Sequence, residues 1–267
     1  MLKDITLGQY FPGDTIVHRL DPRTKLILVC VYIVALFCAT SYISYGVVAA
    51  FLVLAMCLST IRLSVIIKGL KPLLIIIVLT GLLNLFYTEG TPIWSFWIFT
   101  ITREGIRNAF FMIARIIMLI FGTFLLTYTT SPIALTDGME LLLNPLKKIK
   151  VPVHELSMMM CIALRFIPTL ISETDKIISA QKARGADFES GNLMRRAKAL
   201  IPILVPLFIS AFRRADELAV AMESRCYHGG VGRTRMKQLH MQNRDYLALA
   251  FGIGLLAGVI VLRSFGL

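Results

Sequence analysis

The sequence predicts an all-α membrane protein of about five transmembrane helices that also carries a polar domain of long helices, and three observations lead there. Of the 267 residues, 57% are hydrophobic and only 16% charged, well under the roughly 25% charge of an ordinary soluble domain. The charges are also segregated: residues 26–61, 72–88, 116–136 and 246–262 contain none. Residues 132–245, in contrast, hold most of the Lys and Arg. Two such compositions on one chain require two solvents, one of them hydrocarbon.

A helix needs about 20 mostly apolar residues to cross that layer. The run 26–61 provides two spans broken at Ser41-Tyr42-Ile43-Ser44-Tyr45-Gly46, which makes a tight helical hairpin. A third span fits 73–87, a fourth 106–128 and a fifth 246–262, the shorter ones accommodated by the bilayer. Lys3, Arg19, Arg23 and Lys25 precede the first span, and Arg62, Lys68 and Lys71 separate the second from the third, whereas the turn between the first two has no cation. By the positive-inside rule the N-terminus is expected in the cytoplasm and the C-terminus outside. A polar stretch, 4–25, precedes the first apolar run without a cleavage site, so that run is expected to remain as a span and not to act as a signal peptide. The expected organisation is a membrane domain at 1–131, a cytoplasmic helical domain at 132–245 and a last transmembrane helix at 246–267.

Between the third and fourth spans, Trp94, Phe96, Trp97 and Phe99 follow Gly90-Thr91-Pro92, as expected of an interfacial aromatic belt with a short hairpin. Arg115 lies inside the fourth apolar segment, where a guanidinium must snorkel or find a structural partner. The polar stretch divides into three helical pieces at about 132–149, 152–184 and 193–225, with Asn192 as a cap and Gly185 and Gly229-Gly230 as stops.

The second and third of these pieces share a repeat. Pro168-Thr169-Leu170-Ile171-Ser172 matches Pro206-Leu207-Phe208-Ile209-Ser210 as Pro-x-x-Ile-Ser. Asp175 precedes Arg184 by nine residues and Asp216 precedes Arg225 by nine, with Ala180 and Ala221 in equivalent places. Both pieces close on a small-Arg-small triplet, Ala183-Arg184-Gly185 and Ser224-Arg225-Cys226. A guanidinium there is favoured by the helix dipole, while its planar fork stays free to grip a carboxylate. Small neighbours allow a second backbone to approach. Two equivalent cationic tips imply two similar receiving surfaces and hence a dimeric or pseudo-dimeric partner. On the second piece, Met158, Met159 and Met160 offer an adaptable apolar patch that can repack against several partners.

Other chemistries lack their signatures. Gly229-Gly230-Val231-Gly232-Arg233-Thr234 has neither the lysine nor the spacing of a phosphate-binding loop. His18, His154, His228 and His240 are scattered, and the five cysteines include no Cys-x-x-Cys pair. The net charge of +12 lies between apolar spans without interleaved aromatics, so lipid headgroups explain it better than nucleic acid. An intramembrane lipid-modifying enzyme would need clustered acids or histidines at one membrane face, and the presumed spans hold no acidic residue. A self-sufficient channel or secondary transporter would show broken helix pairs, and none is evident.

Taken together, Asp21-Pro22-Arg23 before the first span, the two x-Arg-x triplets and a single span after the polar helices resemble the transmembrane T component of energy-coupling factor transporters. The resemblance covers essentially the whole chain. It implies a non-catalytic coupling subunit in a bacterial cell membrane. Its partners would be two ATP-binding-cassette ATPases (EcfA and EcfA′), which bind the ATP and Mg²⁺, and one or several interchangeable substrate-binding S components. By the same resemblance Arg184 and Arg225 would sit in grooves of the ATPases, Met158 to Met160 would meet the S component, and the cargo would be a vitamin. A dedicated cobalt, nickel or biotin transporter is the alternative within the family. On either reading the chain purified alone should release no phosphate from ATP above a buffer control, and measurable turnover would remove the coupling role.

Overall fold

The computed structural model describes residues 10–96, 99–186, 188, 192–229 and 238–265. In chain order it contains α1 (Pro22–Cys38), α2 (Tyr42–Ser59), α3 (Leu63–Leu70), a 3₁₀ turn (Lys71–Leu73), α4 (Leu74–Tyr87), β1 (Pro92–Phe96), β2 (Phe99–Thr102), α5 (Arg103–Thr129), α6 (Pro132–Leu143), a second 3₁₀ turn (Asn144–Ile149), α7 (Val153–Ala183), α8 (Leu193–Glu223) and α9 (Asn243–Ser264). Two compact units result, one of Gly8–Gly138 with Leu239–Leu267 and one built on Met139–Gln238. The fold is all-α apart from the antiparallel β1–β2 hairpin. The aromatic belt expected around it falls outside the described side chains.

Five helices are long and apolar enough to cross a membrane: Tyr42–Ser59, Leu63–Tyr87, Arg103–Thr129, Val153–Ala183 and Asn243–Ser264. The number agrees with expectation, and the membership differs by one exchange. At 17 residues, α1 is about 26 Å long and falls just short, whereas α7 qualifies because its N-terminal half is apolar. The third span begins earlier than its charge-free core, since α3 runs into α4 through Lys71-Pro72-Leu73. Proline lacks the N–H that an unbroken helix would need there, which explains the single 3₁₀ turn.

In the first unit α1 is central and packs on α9, α5 and α2. Tyr32, Ala35, Leu36 and Ala39 of α1, Tyr45, Val48 and Leu52 of α2, Met118 of α5, and Leu255 and Val259 of α9 form one buried cluster. The Tyr32 hydroxyl donates to the carbonyl of Met118 at 3.0 Å, so the ring is buried without an unsatisfied proton. Gly122 is needed beside it: a Cβ there would lie 2.6 Å from the Tyr32 ring. Away from the core the helices present bare hydrocarbon, with Ile75 76% and Phe251 63% exposed. Such surfaces are stable only against lipid or another apolar partner.

Arg115 has a structural partner. Its Nε donates to the Tyr45 hydroxyl at 2.8 Å, a terminal nitrogen reaches the Ala39 carbonyl at 3.4 Å, and the guanidinium lies 5.4 Å from the Phe37 ring centroid. The charge thus serves the free carbonyls at the end of α1, where the dipole is negative.

The Asp-Pro-Arg element ties the first helix to the last. Asp21 caps α1 by accepting from the Arg23 N–H at 2.9 Å, and Pro22 occupies the first helical position, where a missing N–H costs nothing. The Asp21 N–H donates to Asp245 at 2.8 Å. The other carboxylate oxygen of Asp245 accepts from the Gln242 N–H at 2.8 Å, completing the capping box of α9. Arg23 bridges Asp21, at 3.0 Å, and the Leu239 carbonyl, at 2.9 Å. Asp21 and Asp245 are both buried.

The second unit contains the polar helices. The piece expected at 132–149 breaks at Asn144-Pro145 into α6 and a 3₁₀ turn, for the same reason as at Pro72. The ends of α7 and α8 fall within two residues of expectation. Replacing Asp245 with Ala leaves two buried N–H groups without acceptors, each worth about 1–3 kcal/mol. Thermal unfolding of Asp245→Ala should therefore begin well below wild type, with Asp245→Asn intermediate because its amide retains one acceptor oxygen.

Candidate functional site

The two arginine triplets end their helices with the same backbone device. At the end of α7 the Gly185 N–H donates to the Lys182 carbonyl at 3.0 Å and the Ala186 N–H to the Gln181 carbonyl at 3.0 Å, with Gly185 at φ +84°. At the end of α8 the Cys226 N–H donates to the Glu223 carbonyl at 2.8 Å and the Tyr227 N–H to the Met222 carbonyl at 3.1 Å, with Cys226 at φ +54°. Both are Schellman closures with the left-handed residue directly after the arginine. The stop expected at Gly229-Gly230 thus comes earlier, at Cys226, and Gly230 lies outside the described residues. Small size in the third position of each triplet therefore has a local cause as well. Glycine takes the left-handed conformation freely, and cysteine takes it at a cost.

All six triplet residues, Ala183, Arg184, Gly185, Ser224, Arg225 and Cys226, are exposed. Neither guanidinium has an ion-pair or hydrogen-bond partner among the described residues. Each arginine follows the last turn of its helix, where unpaired carbonyls favour a cation.

The helices carrying these tips run antiparallel. Gln181 reaches the Pro202 carbonyl at 3.5 Å, Glu173 accepts from Arg214 at 2.9 Å and from the Ser210 hydroxyl, and the Tyr227 hydroxyl meets Met158 Sδ at 3.1 Å. Contacts thus pair descending numbers on α7 with ascending numbers on α8. A cleft of about 250 Å³ between them is lined by Ile162, Phe166 and Leu170 facing Ala211, Leu218 and Met222. The Arg225 tip consequently lies beside Met158, while Arg184 lies 26 residues further along α7, a separation of about 40 Å.

The crossing is nearly symmetric. Glu173 and Arg214 stand 41 residues apart in the sequence, as do Arg184 and Arg225, and Asp175 and Asp216. An ion pair between equivalent positions of two antiparallel repeats must sit on the local two-fold axis relating them. The Glu173–Arg214 pair marks that axis, and the two tips are its related ends.

The methionines divide. Met158 is engaged with Tyr227, whereas Met159 and Met160 are 56% and 47% exposed. Sequence reasoning did not single out a larger apolar surface on α8, where Leu200, Ile201, Leu204, Val205, Phe208, Ile209 and Phe212 are all about half exposed or more. Their spacing, pairs recurring every four residues, is a legible helical stripe. It was absorbed into the general reading that this helix begins apolar.

A family profile described as "Cobalt transport protein" (CbiQ) matches residues 13–237. The chain is 57% identical over 250 residues to the energy-coupling factor transporter transmembrane protein EcfT of Clostridium kluyveri, covering 93% of each. It is 56% identical to the protein of that name from Thermosediminibacter oceani over 99% of both chains, and 54% identical to that of Ruminiclostridium cellulolyticum over 98% of both.

The unequal closures give a direct stability test. Cys226→Gly relieves a left-handed side chain and should stabilise the α8 end by about 1 kcal/mol, and Gly185→Ala should destabilise the α7 end by a similar amount. Hydrogen exchange of the last turn of each helix measures both effects.

Proposed function

The chain belongs to the family of energy-coupling factor transporter transmembrane proteins, and from that premise we propose that it couples two ATP-binding-cassette ATPases to a substrate-binding S component for ATP-driven uptake of a vitamin. The observation that carries the proposal is the pair of free guanidiniums at dyad-related ends of one antiparallel helix pair. Each tip docks into an acidic groove of one ATPase. A separation of about 40 Å suits two neighbouring subunits, because a single groove of ordinary width could not receive both.

The ATPases bind ATP and Mg²⁺, and this chain binds neither. When nucleotide draws the ATPases together or lets them part, the two tips follow. The α7–α8 crossing then changes angle about Glu173–Arg214, where the ion pair and the Ser210 hydrogen bond hold the contact. Motion of the arms displaces the exposed α8 stripe together with Met159 and Met160, and these surfaces meet the S component. A flexible thioether surface can accommodate more than one such partner. The N-terminus lies in the cytoplasm of a bacterial cell, where the cations flanking the first three spans face anionic headgroups.

A dedicated metal or biotin importer would use the same docking with one S component, and the number of S proteins that co-purify separates the two forms. The docking itself is tested by charge reversal. Placing a carboxylate where a buried arginine met an acidic groove costs about 3–5 kcal/mol, enough for a hundredfold loss of affinity. Arg184→Glu and Arg225→Glu should each weaken retention of one ATPase subunit on affinity purification, and the double variant should retain none and support no uptake. Normal uptake by a double variant present at wild-type levels would sink the assignment.

A further inference from the structure

The membrane unit contains a cavity of about 400 Å³ that coupling does not use. Four helices line it at the end where α1 and α9 begin and α2 and α5 finish. Lys25, Leu28, Val29 and Tyr32 come from α1, Leu54, Ala55 and Leu58 from α2, Gly122 to Thr129 from α5, and Arg244, Leu247 and Phe251 from α9. Each helix contributes about seven residues, so the cavity is about 10 Å deep. Lys25, Thr129 and Arg244 stand at its rim, and Tyr32, Phe51, Gly122 and Phe251 at its floor.

The cavity exists because α2 leaves the bundle. Ser44, Tyr45, Val48 and Leu52 are buried, whereas Leu54 and Leu58 further along are 47% and 43% exposed. A dry gap of this size lined by aliphatic and aromatic side chains favours an apolar occupant. The rim specifies the other end of that occupant. Arg23 is committed to Asp21 and the Leu239 carbonyl, and Lys25 donates to the carbonyls of His18 and Thr129 at 3.2 and 2.9 Å. Arg244 is exposed and makes no ion pair or hydrogen bond among the described residues. It also sits in the first turn of α9, the positive end of the helix dipole, where a cation is disfavoured. Folding therefore gives no reason for it.

We propose that the cavity seats an acyl chain of an anionic phospholipid whose phosphate is held by Arg244. An apolar shaft ending in a free guanidinium matches the polarity of such a lipid from tail to headgroup, and arginine pairs with phosphate bidentately. The lipid fills the gap left by α2 and joins it to α9, which would otherwise face each other across empty space.

The full-length protein in bilayers carrying diazirine-tailed phosphatidylglycerol or phosphatidylcholine tests this, with labelled peptides read by mass spectrometry. Labelling at residues 54–58 and 247–251 should exceed that of the uniformly exposed α4 surface, and phosphatidylglycerol should outlabel phosphatidylcholine there about fivefold, the effect of one basic residue near an anionic headgroup. Arg244→Ala should reduce the two lipids to equal labelling, and Ala55→Phe, which fills the shaft, should abolish labelling by both. Equal labelling of wild type by the two lipids overturns the headgroup assignment without relying on any variant. Undiminished labelling of a folded Ala55→Phe places the lipid elsewhere and overturns the seat. If a photoreactive residue at 55 captures a membrane partner subunit in the assembled transporter and not lipid, the cavity is a protein socket and the lipid assignment fails.

Discussion

The antiparallel crossing of α7 and α8 at a self-paired position is the constraint on which the functional geometry depends. If the two long helices ran parallel, both arginine triplets would emerge side by side and address one surface. Because Glu173 meets Arg214, its own counterpart in the other repeat, the helices are held as near images of each other and their ends are thrown apart. The distance between the ends is then set by helix length alone, at 31 residues each. A partly exposed ion pair contributes little to stability, typically under about 1 kcal/mol. Its importance is geometric, since together with Ser210 it selects one register for a crossing that the apolar cleft around it would tolerate in several.

The membrane unit has a comparable economy. Its first and last helices, more than 200 residues apart in the chain, begin at the same level because one backbone N–H at Asp21 and one at Gln242 share the Asp245 carboxylate. Low dielectric makes such contacts exacting: a buried acceptor with two donors is stable, and a donor left without one is costly. Arg115 serves the opposite end of α1 in the same way. The shortest of the apolar helices is thus held at both ends by polar contacts and along its length by packing.

Much of this was legible in the sequence, and the reasons differ by element. The spans are written in charge-free runs because hydrocarbon penalises every charge, so α2, α4, α5 and α9 were found close to their observed limits. The repeat was visible because Asp175 and Asp216 keep the same nine-residue distance to Arg184 and Arg225. Its meaning was not visible, since no local pattern states whether two helices pack parallel or antiparallel. The stop at Cys226 was missed because cysteine rarely adopts a positive φ, and Gly229-Gly230 offered a more orthodox signal. Asp21-Pro22-Arg23 was recognisable as a motif, yet its acceptor, Asp245, is too remote in sequence to be inferred. For Arg115, composition narrowed the choice to snorkelling or pairing, and only the fold supplied Tyr45 and the Ala39 carbonyl.

The repeat is symmetric only in part. From Glu173 and Arg214 to the tips the two helices correspond at a spacing of 41 residues, whereas the upstream Pro-x-x-Ile-Ser elements correspond at 38. Three residues turn an α-helix by about 300°, so the upstream faces are rotated by about 60° relative to the tips. Accordingly Ser210 donates across to Glu173, while Ser172 donates to the carbonyl of Thr169 within its own helix. One pair of arms therefore presents matched ends and mismatched flanks, and that combination sets a stoichiometry: a two-fold partner can be gripped twice, while a flank that exists in only one copy has room for a single guest.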